Sequence, residues 1–425
     1  MITSGGVRRG VAMTEATTIG VAVPAVEYET HRWRPSRPEH YSKSEVRRQT
    51  GEYLSAITAP IARWQPSLSG EITADIDDAT QALMAFDRHT RLRLGVDNPT
   101  LGPMAAILLR TESASSSQIE QLTTSARQLA LAEIGEGRKR HALTVIGNVR
   151  AMESAIGLSD DLSLPSILSM HRELLNHQHG MQVHAGRIRD QLVWIGNRDS
   201  AGPLGASFIA PQADDVHPAM EDLMNFMRRD DLPVLLQIAV AHAQFETIHP
   251  FVDGNGRTGR ALAQALLRNK RLATHTTVPI SAGLLIAVDR YFEALTAFRS
   301  GDATPIVARF ADAARFAASV GAALVDSLVD ELDRSSQQMV GVRRDAAARR
   351  LLPLLIGQPV VNAGYVQQHL GINAAAAQRA LRTLVDRDVL AERTGYARNR
   401  IWEHSGILDA LDSYAEDIRR SSLSR

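Results

Sequence analysis

Apolar residues recur every three or four positions along most of this chain, the spacing that lines one face of a helix. Ile72, Ile76, Ala79, Leu83 and Phe86 mark an amphipathic helix over 71–90, and Leu235, Ile238, Ala239, His242 and Phe245 mark another over 232–247. Leu262, Leu266 and Leu267 resume the pattern after a short break, and further helices are predicted near 142–155, 164–176, 214–228 and from 289 onward. Residues 28–66, rich in Pro, Arg, Trp and Tyr, are expected to turn helical from about Val46 to Ile61, giving an N-terminal helical layer with Trp33 and Trp64 as core anchors. The period changes between 184 and 197. There Ile188, Gln191, Val193 and Ile195, with Trp194, fall between Gly186 and Gly196-Asn197, which predicts a short β-hairpin. The fold class is therefore mainly α.

Composition narrows the class. A chain of 425 residues, 44% hydrophobic and 22% charged, has room for two or three globular domains. Its formal net charge is zero, so no global field favours nucleic acid or a membrane surface. Without cysteine it has no disulfide, thiolate zinc site or thiol nucleophile. No apolar run reaches the ~18 residues of a membrane helix, and the Gly- and Arg-containing start lacks a signal-peptide core. The expectation is a cytoplasmic protein with a disordered leader over 1–27, a helical region over 28–110, a core over 111–330, a linker over 331–345 and a C-terminal module over 346–425.

The break between the two central helices holds the densest chemistry. It reads IHPFVDGNGRTGR from Ile248 to Arg260. Its glycines run into a helix N-terminus, where unpaired backbone N–H groups can face an anion. Asp253 is a hard oxygen ligand suited to Mg²⁺, Arg257 and Arg260 offer forked donors to phosphate oxygens, and His249 can take a proton near neutral pH. Together these describe a polyphosphate site beside a base. Gly254, Gly256 and Gly259 also spell the dinucleotide pattern G-x-G-x-x-G, but a helix precedes it and no carboxylate stands about 20 residues later.

HPFVDGNGRTGR resembles the signature of the Fic (filamentation induced by cAMP) family, H-x-F-x-[DE]-G-N-G-R-x-x-R, at every fixed position. Members are typically AMP transferases that move AMP from ATP to a Ser, Thr or Tyr hydroxyl of a target protein. The resemblance implies His249 as general base and Phe251 as the loop's anchor in the core. It implies Mg²⁺ on Asp253, a phosphate cradle at Gly254, Asn255 and Gly256, and Arg257 and Arg260 on the polyphosphate. The hairpin, Gln191, Leu192, Val193, Trp194 and Ile195, matches the flap that aligns a target peptide by edge-strand pairing. Tyr291 and Phe292 resemble the aromatic pair bordering the adenine pocket, and His242 is read as a packed core histidine. Ser116 to Glu120 matches most of the family's inhibitory pattern [ST]-x-x-x-E-[GN], with Gln121 where Gly or Asn is usual. This implies an inhibitory helix over 116–132 whose Glu120 pairs with Arg260. Read from the residues alone, Ser117-x-x-Glu120 is a capping box with Ser117 at the N-cap, which is the alternative to the inhibitory role. In some relatives the equivalent Glu also serves AMP removal, and relatives often form homodimers.

After about 346 the pattern is helix, a turn at Pro359, helix 363–370, a turn at Gly371, helix 374–387, then a basic Gly-containing segment over 393–400. This looks like a winged helix-turn-helix with Gln378, Arg379 and Arg382 on the recognition helix. From Val342 onward 13 Arg face 9 Asp or Glu, a net of +4, which is a mild basic bias. DNA binding and docking onto a partner or the core both stay open for this module. The alternative to an AMP transferase is a nucleotide-sensing DNA-binding regulator.

Overall fold

The structure, a computed structural model, describes residues 20–95, 98–196, 200–393 and 400–423. An antiparallel ribbon of β1 (Glu27–Trp33) and β2 (Gly51–Ile57) encloses the short helix α1 (Lys43–Arg48). Helices α2 (Gly70–Leu94), α3 (Leu101–Ile119), α4 (Ala126–Glu133), α5 (Arg140–Gly157) and α6 (Leu164–Asn176) follow. Two short strands, β3 (Trp194–Ile195) and β4 (Phe208–Ile209), pair antiparallel. The central helices are α7 (Ala213–Met227), α8 (Val234–Ile248), α9 (Asn255–Asn269), α10 (Ile280–Leu285), α11 (Val288–Arg299) and the 35-residue α12 (Thr304–Gln338). The C-terminal module comprises α13 (Ala347–Gly357), β5 (Val360–Asn362), α14 (Ala363–Leu370), α15 (Ala374–Asp386), β6 (Ala391–Glu392), β7 (Ile401–Glu403) and α16 (Ser405–Leu423), with strand order β5-β7-β6. The described chain is mainly α, and no described helix is long and apolar enough to cross a membrane.

Helix α8 is the axis of the core. From Leu235 to Ile248 every residue is buried, so it is enclosed on all sides rather than on one stripe. Helix α12 packs along α2, α8, α10 and α11, while α5 and α6 close over α9. Helices α10 and α12 approach so closely that a Cβ on Gly283 would collide with the backbone of Ala313.

Several expectations change at the N-terminal side. The leader was placed over 1–27. Residues 1–19 lie outside the described residues, but from Val21 the chain is packed, with Val21 and Val23 buried on either side of exposed Ala22. Val23 N–H donates to Gly301 O and Ala303 N–H donates to Val21 O, tying this segment to the α11–α12 turn. The helix expected over 46–61 stops at Arg48 and gives way to β2. There the period is two: Tyr53 packs on His31 and on the edge of Trp33, and alternate residues face outward. Trp33 also meets Trp194 edge to face at 5.6 Å, so the ribbon buttresses the segment read as a flap.

Other boundaries shift as well. The linker expected over 331–345 begins inside α12, which continues to Gln338 and buries Ser335. The inhibitory helix expected over 116–132 is two pieces: α3 ends at Ile119 and α4 starts at Ala126. Ser117 is thus in the last turn of a helix, not at an N-cap, and no capping box forms. The hairpin is reduced to β3, whose partner β4 lies beyond residue 200 instead of within 184–197. Arg189 and the turn glycines hold 184–193 in loop geometry, with their backbone groups bonded to side chains and loops. In the C-terminal module Arg379 and Arg382 are exposed on α15, and residues 394–399 of the basic segment lie outside the described residues.

Replacing Gly283 by Val is expected to lower stability by more than about 2 kcal/mol, because the added carbons meet backbone that cannot move independently of α12. Denaturant unfolding measures this; an unchanged midpoint would mean the two helices part easily.

Candidate functional site

The site grows from the C-terminus of α8. His249 takes a left-handed backbone (φ 51°, ψ 60°), and its N–H donates to Phe245 O at 2.9 Å. That reversal sends the chain back across the helix end into Pro250 and Phe251. Phe251 is fully buried and stacks on His171, ring centroids 3.7 Å apart. Asn255 braces the bend from the other side: its Oδ1 accepts from Phe251 N–H and its Nδ2 donates to Phe251 O, both at 2.9 Å. The Asn255 side chain is therefore spent on the loop, and only its backbone N–H is left for an anion. Gly254 has φ 80° and sits against Leu174, where a Cβ would not fit. Helix α9 then begins, and its first amides have no carbonyl partner within the helix.

Arg260, one turn into α9, is fully buried and held by α3. Its Nε donates to Ser116 Oγ and its Nη2 to Ser116 O and Glu120 Oε1, each at 2.9 Å. Ser116 and Glu120 are four residues apart, so both fall on the same helix face. Burial alone would weaken the guanidinium's charge, but Glu120, Tyr291 and Glu246 around it raise its pKa instead. Burial likewise opposes ionisation of Glu120, yet Arg260 and then Arg257 hold its carboxyl below the usual range. Glu120 Oε1 also lies where a Cβ on Gly256 would be. A carboxylate thus occupies the start of α9, where the sequence places an anion cradle.

The turn after Glu120 explains the odd residue in the pattern. Glu120 is the C-cap of α3, Gln121 has φ +63°, and Gln121 and Leu122 N–H donate back to Gln118 and Ser117 carbonyls. This is a Schellman termination, which favours Gly or Asn at the left-handed position. Gln121 adopts it under strain, and the glutamate's place is kept.

His249 is half-buried, and burial pushes its pKa down to about 4, with Arg299 and Arg189 acting in the same direction. It is neutral at pH 7. Its Nδ1 lies 3.3 Å from the Glu246 carbonyl, an acceptor, so Nδ1 carries the proton and Nε2 is left to accept one. Asp253 accepts from Gly254 N–H through Oδ1 and from Gln178 through Oδ2. Gln178 also receives a bond from Arg257, whose Nη2 is 3.7 Å from Asp253. The remaining lone pairs of the partly exposed Asp253 carboxylate suit one hard cation that keeps waters and shares phosphate oxygens.

These groups share a cavity of ≈ 520 Å³ with Gln191 to Gly196, Glu246, Tyr291 and Phe292. Of the catalytic, nucleotide-site, inhibitory and flap residues that the resemblance implies, Phe251 alone is absent from its wall and lies in the core beneath. Tyr291 is buried with its hydroxyl 2.8 Å from His242 Nε2, which accounts for His242 as a bonded core histidine, while Phe292 is exposed at the rim.

Five residues to which sequence reasoning assigned no role stand around the site, Gln178 between Asp253 and Arg257 among them. Arg189 knots the flap segment to the histidine bend, donating to the carbonyls of His249, Gln191 and Pro211. Arg299 lies over the Phe208 ring at 3.8 Å, beneath β4. His171 takes Gly186 N–H on Nδ1 and gives Nε2–H to Asp253 O. Glu246, 3.9 Å from His249 Nδ1, is a buried carboxylate whose Oε1 has no hydrogen-bond partner among the described residues. Only Glu246 had a legible signal, as the sole charged residue of α8.

Burial pushes the Glu246 carboxyl up to about 7, above its ordinary value, so folding favours its protonated form. Its contribution is full below about pH 4.5 and is lost as pH rises through about 7. Glu246→Gln is therefore expected to raise stability by roughly 3 kcal/mol at pH 8 and to leave it unchanged at pH 4, a difference read from unfolding at the two pH values. Equal effects at both would show that the carboxyl stays charged throughout. Gln121→Gly is expected to stabilise by about 1 kcal/mol by removing the left-handed strain. A loss of stability in denaturant unfolding would mean the glutamine side chain is needed where it stands.

The Fic/DOC family model matches residues 161–267. Protein adenylyltransferase fic-1 of Caenorhabditis elegans is 32% identical over 108 residues, 25% of this chain and 20% of its own length. Protein adenylyltransferase Fic of Nematostella vectensis is 30% identical over 112 residues, 26% and 23% of the two chains. A solved structure of a Fic family protein from Desulfovibrio desulfuricans G20 has a TM-score of 0.49 and 22% identity, covering 80% of this chain and 98% of that one. The match spans about a fifth to a quarter of these curated relatives. Residues 161–267, which carry the histidine bend, the flap segment and most of α9, are a Fic/DOC family domain.

Proposed function

We propose that this protein is an autoinhibited AMP transferase that moves AMP from ATP to a hydroxyl of a target protein or of itself. The observation that carries this reading is the Glu120 carboxylate seated on Arg260 at the start of α9, beside a neutral His249. A carboxylate there stands where a terminal phosphate would bind, since an Arg that holds one cannot fully hold the other. With Glu120 withdrawn, the α9 amides, Arg257 and Arg260 would take the phosphates, and Phe292 at the rim would face the adenine. The named relatives, protein adenylyltransferases, support the same chemistry.

In the reaction His249 Nε2 accepts the proton of the target hydroxyl as its oxygen bonds to the α-phosphorus. The bond from that phosphorus to the β-phosphate bridging oxygen breaks, and pyrophosphate leaves. Asp253 would hold Mg²⁺, which supplies charge neutralisation of the phosphates when bound. The Nδ1–H bond to Glu246 O keeps the imidazole in the tautomer that can accept, and Arg189 keeps the bend and the flap in register. The edge of β3 is where a target strand would pair. The exposed Arg379 and Arg382 on α15 favour a second reading for the C-terminal module alone, a winged helix that touches nucleic acid.

Protein incubated with Mg²⁺ and ATP labelled at the α-phosphate is expected to acquire label, with an increase of roughly tenfold or more in Glu120→Gly. In His249→Ala label should fall by about 10²–10⁴. Label that persists undiminished in His249→Ala removes the assigned base and with it this mechanism.

A further inference from the structure

A second cavity, of ≈ 100 Å³, lies between α3, α4 and α16, away from the histidine bend. On α3 it is lined by Ile107, Arg110, Thr111, Ala114, Ser115 and Gln118. Those positions step by three and four, so they form a single helical face. The other face of the same helix does the work described above: Glu112 accepts from Ser281, Ser113 and Ser117 meet Asn148, and Ser116 and Glu120 hold Arg260. One rigid rod therefore has the cavity on one side and the anion cradle on the other.

The void is written into side-chain size. Where three helices face one another, Ala114 and Ser115 meet Ala126 and Ala130 of α4 and Ala415 of α16. Ser125, Asp412 and Ala415 are exposed, so the space is a cleft that opens to solvent on that side. Leu129, Leu411 and Ile418 give the wall its apolar part, and Gln118, Thr124 and the exposed Ser125 and Asp412 make it polar on its solvent side. Tyr414 adds its ring; its hydroxyl is buried with no hydrogen-bond partner among the described residues, and the Thr111 hydroxyl beside it is donated to Leu108 O. Arg110 is committed to Gly357 O and Gln358 Oε1, which leaves the wall without a free cation for an acidic ligand.

We propose that this cavity is a regulatory binding site for a small neutral molecule, a single ring or branched chain carrying one oxygen, and that its occupancy holds Glu120 on Arg260. The volume suits about six to eight heavy atoms, comparable with cavities that take up one benzene. An anion would lose its hydration without a counter-ion, and a cation would meet as the one carboxylate of the lining only the solvent-exposed Asp412. The cavity is shaped by α3 in the position that seats Glu120, so a ligand that fills it favours that position over one in which α3 has withdrawn. The coupling clause rests on the reading of Glu120 as the occupant of the phosphate cradle; the binding clause does not.

Phenol is the probe, used on the full chain. Saturation-transfer NMR is expected to show saturable binding, and at ten times its Kd phenol should raise the unfolding midpoint by about 2 °C. Ala114→Leu and Ala415→Leu, from different helices, each fill the void and should weaken phenol at least tenfold. Non-saturable binding, or unchanged affinity in whichever of the two variants folds, overturns the site. Phenol should also weaken ATP binding severalfold in the wild type and not in Glu120→Gly, by the reciprocity of linked sites. If phenol binds but ATP affinity does not move, the coupling fails and the site remains. If ATP binds neither protein, the AMP-transfer reading fails and the phenol titrations still decide the cavity.

Discussion

A guanidinium with no access to water must have its charge and its donors satisfied by the protein, and Arg260 imposes that demand on everything around it. Its partners come from one helix, α3, through Ser116 and Glu120. Breaking such a set by removing one member leaves a buried charge uncompensated. The arrangement is therefore stable only while an anion stands at the start of α9. Glu120 is partly exposed, with a side-chain accessibility of 30%, whereas Arg260 is at 2%. The solvent-facing partner of the pair is thus the carboxylate, placed at the C-terminal end of α3 where the helix dipole does not favour it. An anion better matched to the cradle has an energetic opening there.

The histidine bend depends on a different kind of constraint. Its backbone turns left-handed at a non-glycine residue and is kept there by Asn255 on one side and Arg189 on the other. Strain of this kind persists only where surrounding bonds over-determine it. Arg189 reaches the carbonyls of both the bend and the flap segment, and Trp33 packs on Trp194, so the flap is braced from the core and from the N-terminal ribbon together. A two-residue strand can stay extended under these conditions although it is far shorter than a strand that would be stable alone.

The C-terminal module is tied to the same rod. Arg110 of α3 donates to Gly357 O and Gln358 Oε1, and Gly357 packs against Pro103 at the start of α3, while Gln358 donates to Ala130 O and Arg127 pairs with Glu403 from the neighbouring α4. The module thus packs on the helix that ends at Glu120 and on the one that follows it.

The chemistry of the site was legible in the sequence because thirteen consecutive residues, Ile248 to Arg260, carry it on a helix–bend–helix whose geometry is local. The core helices were legible for the same reason, a period of 3.6 that each segment shows by itself. Glu120 was singled out by the resemblance of Ser116 to Glu120 to a family pattern, though the helix around it differs: S-x-x-E satisfies an N-cap pattern, and only the packing of 101–119 against α5 and α13 shows the serines to lie in a helix's last turns. The ribbon at 27–57 and the partner of β3 depend on pairing between distant segments, which leaves no mark within a window of a dozen residues. Arg189, Gln178 and His171 act through backbone carbonyls and single side chains brought from 60 to 80 positions away. Local periodicity and the compact motif thus came from the amino-acid order alone. Which carboxylate sits in the cradle, and what braces the bend, were settled by tertiary packing, because those bonds exist only once separate helices have met.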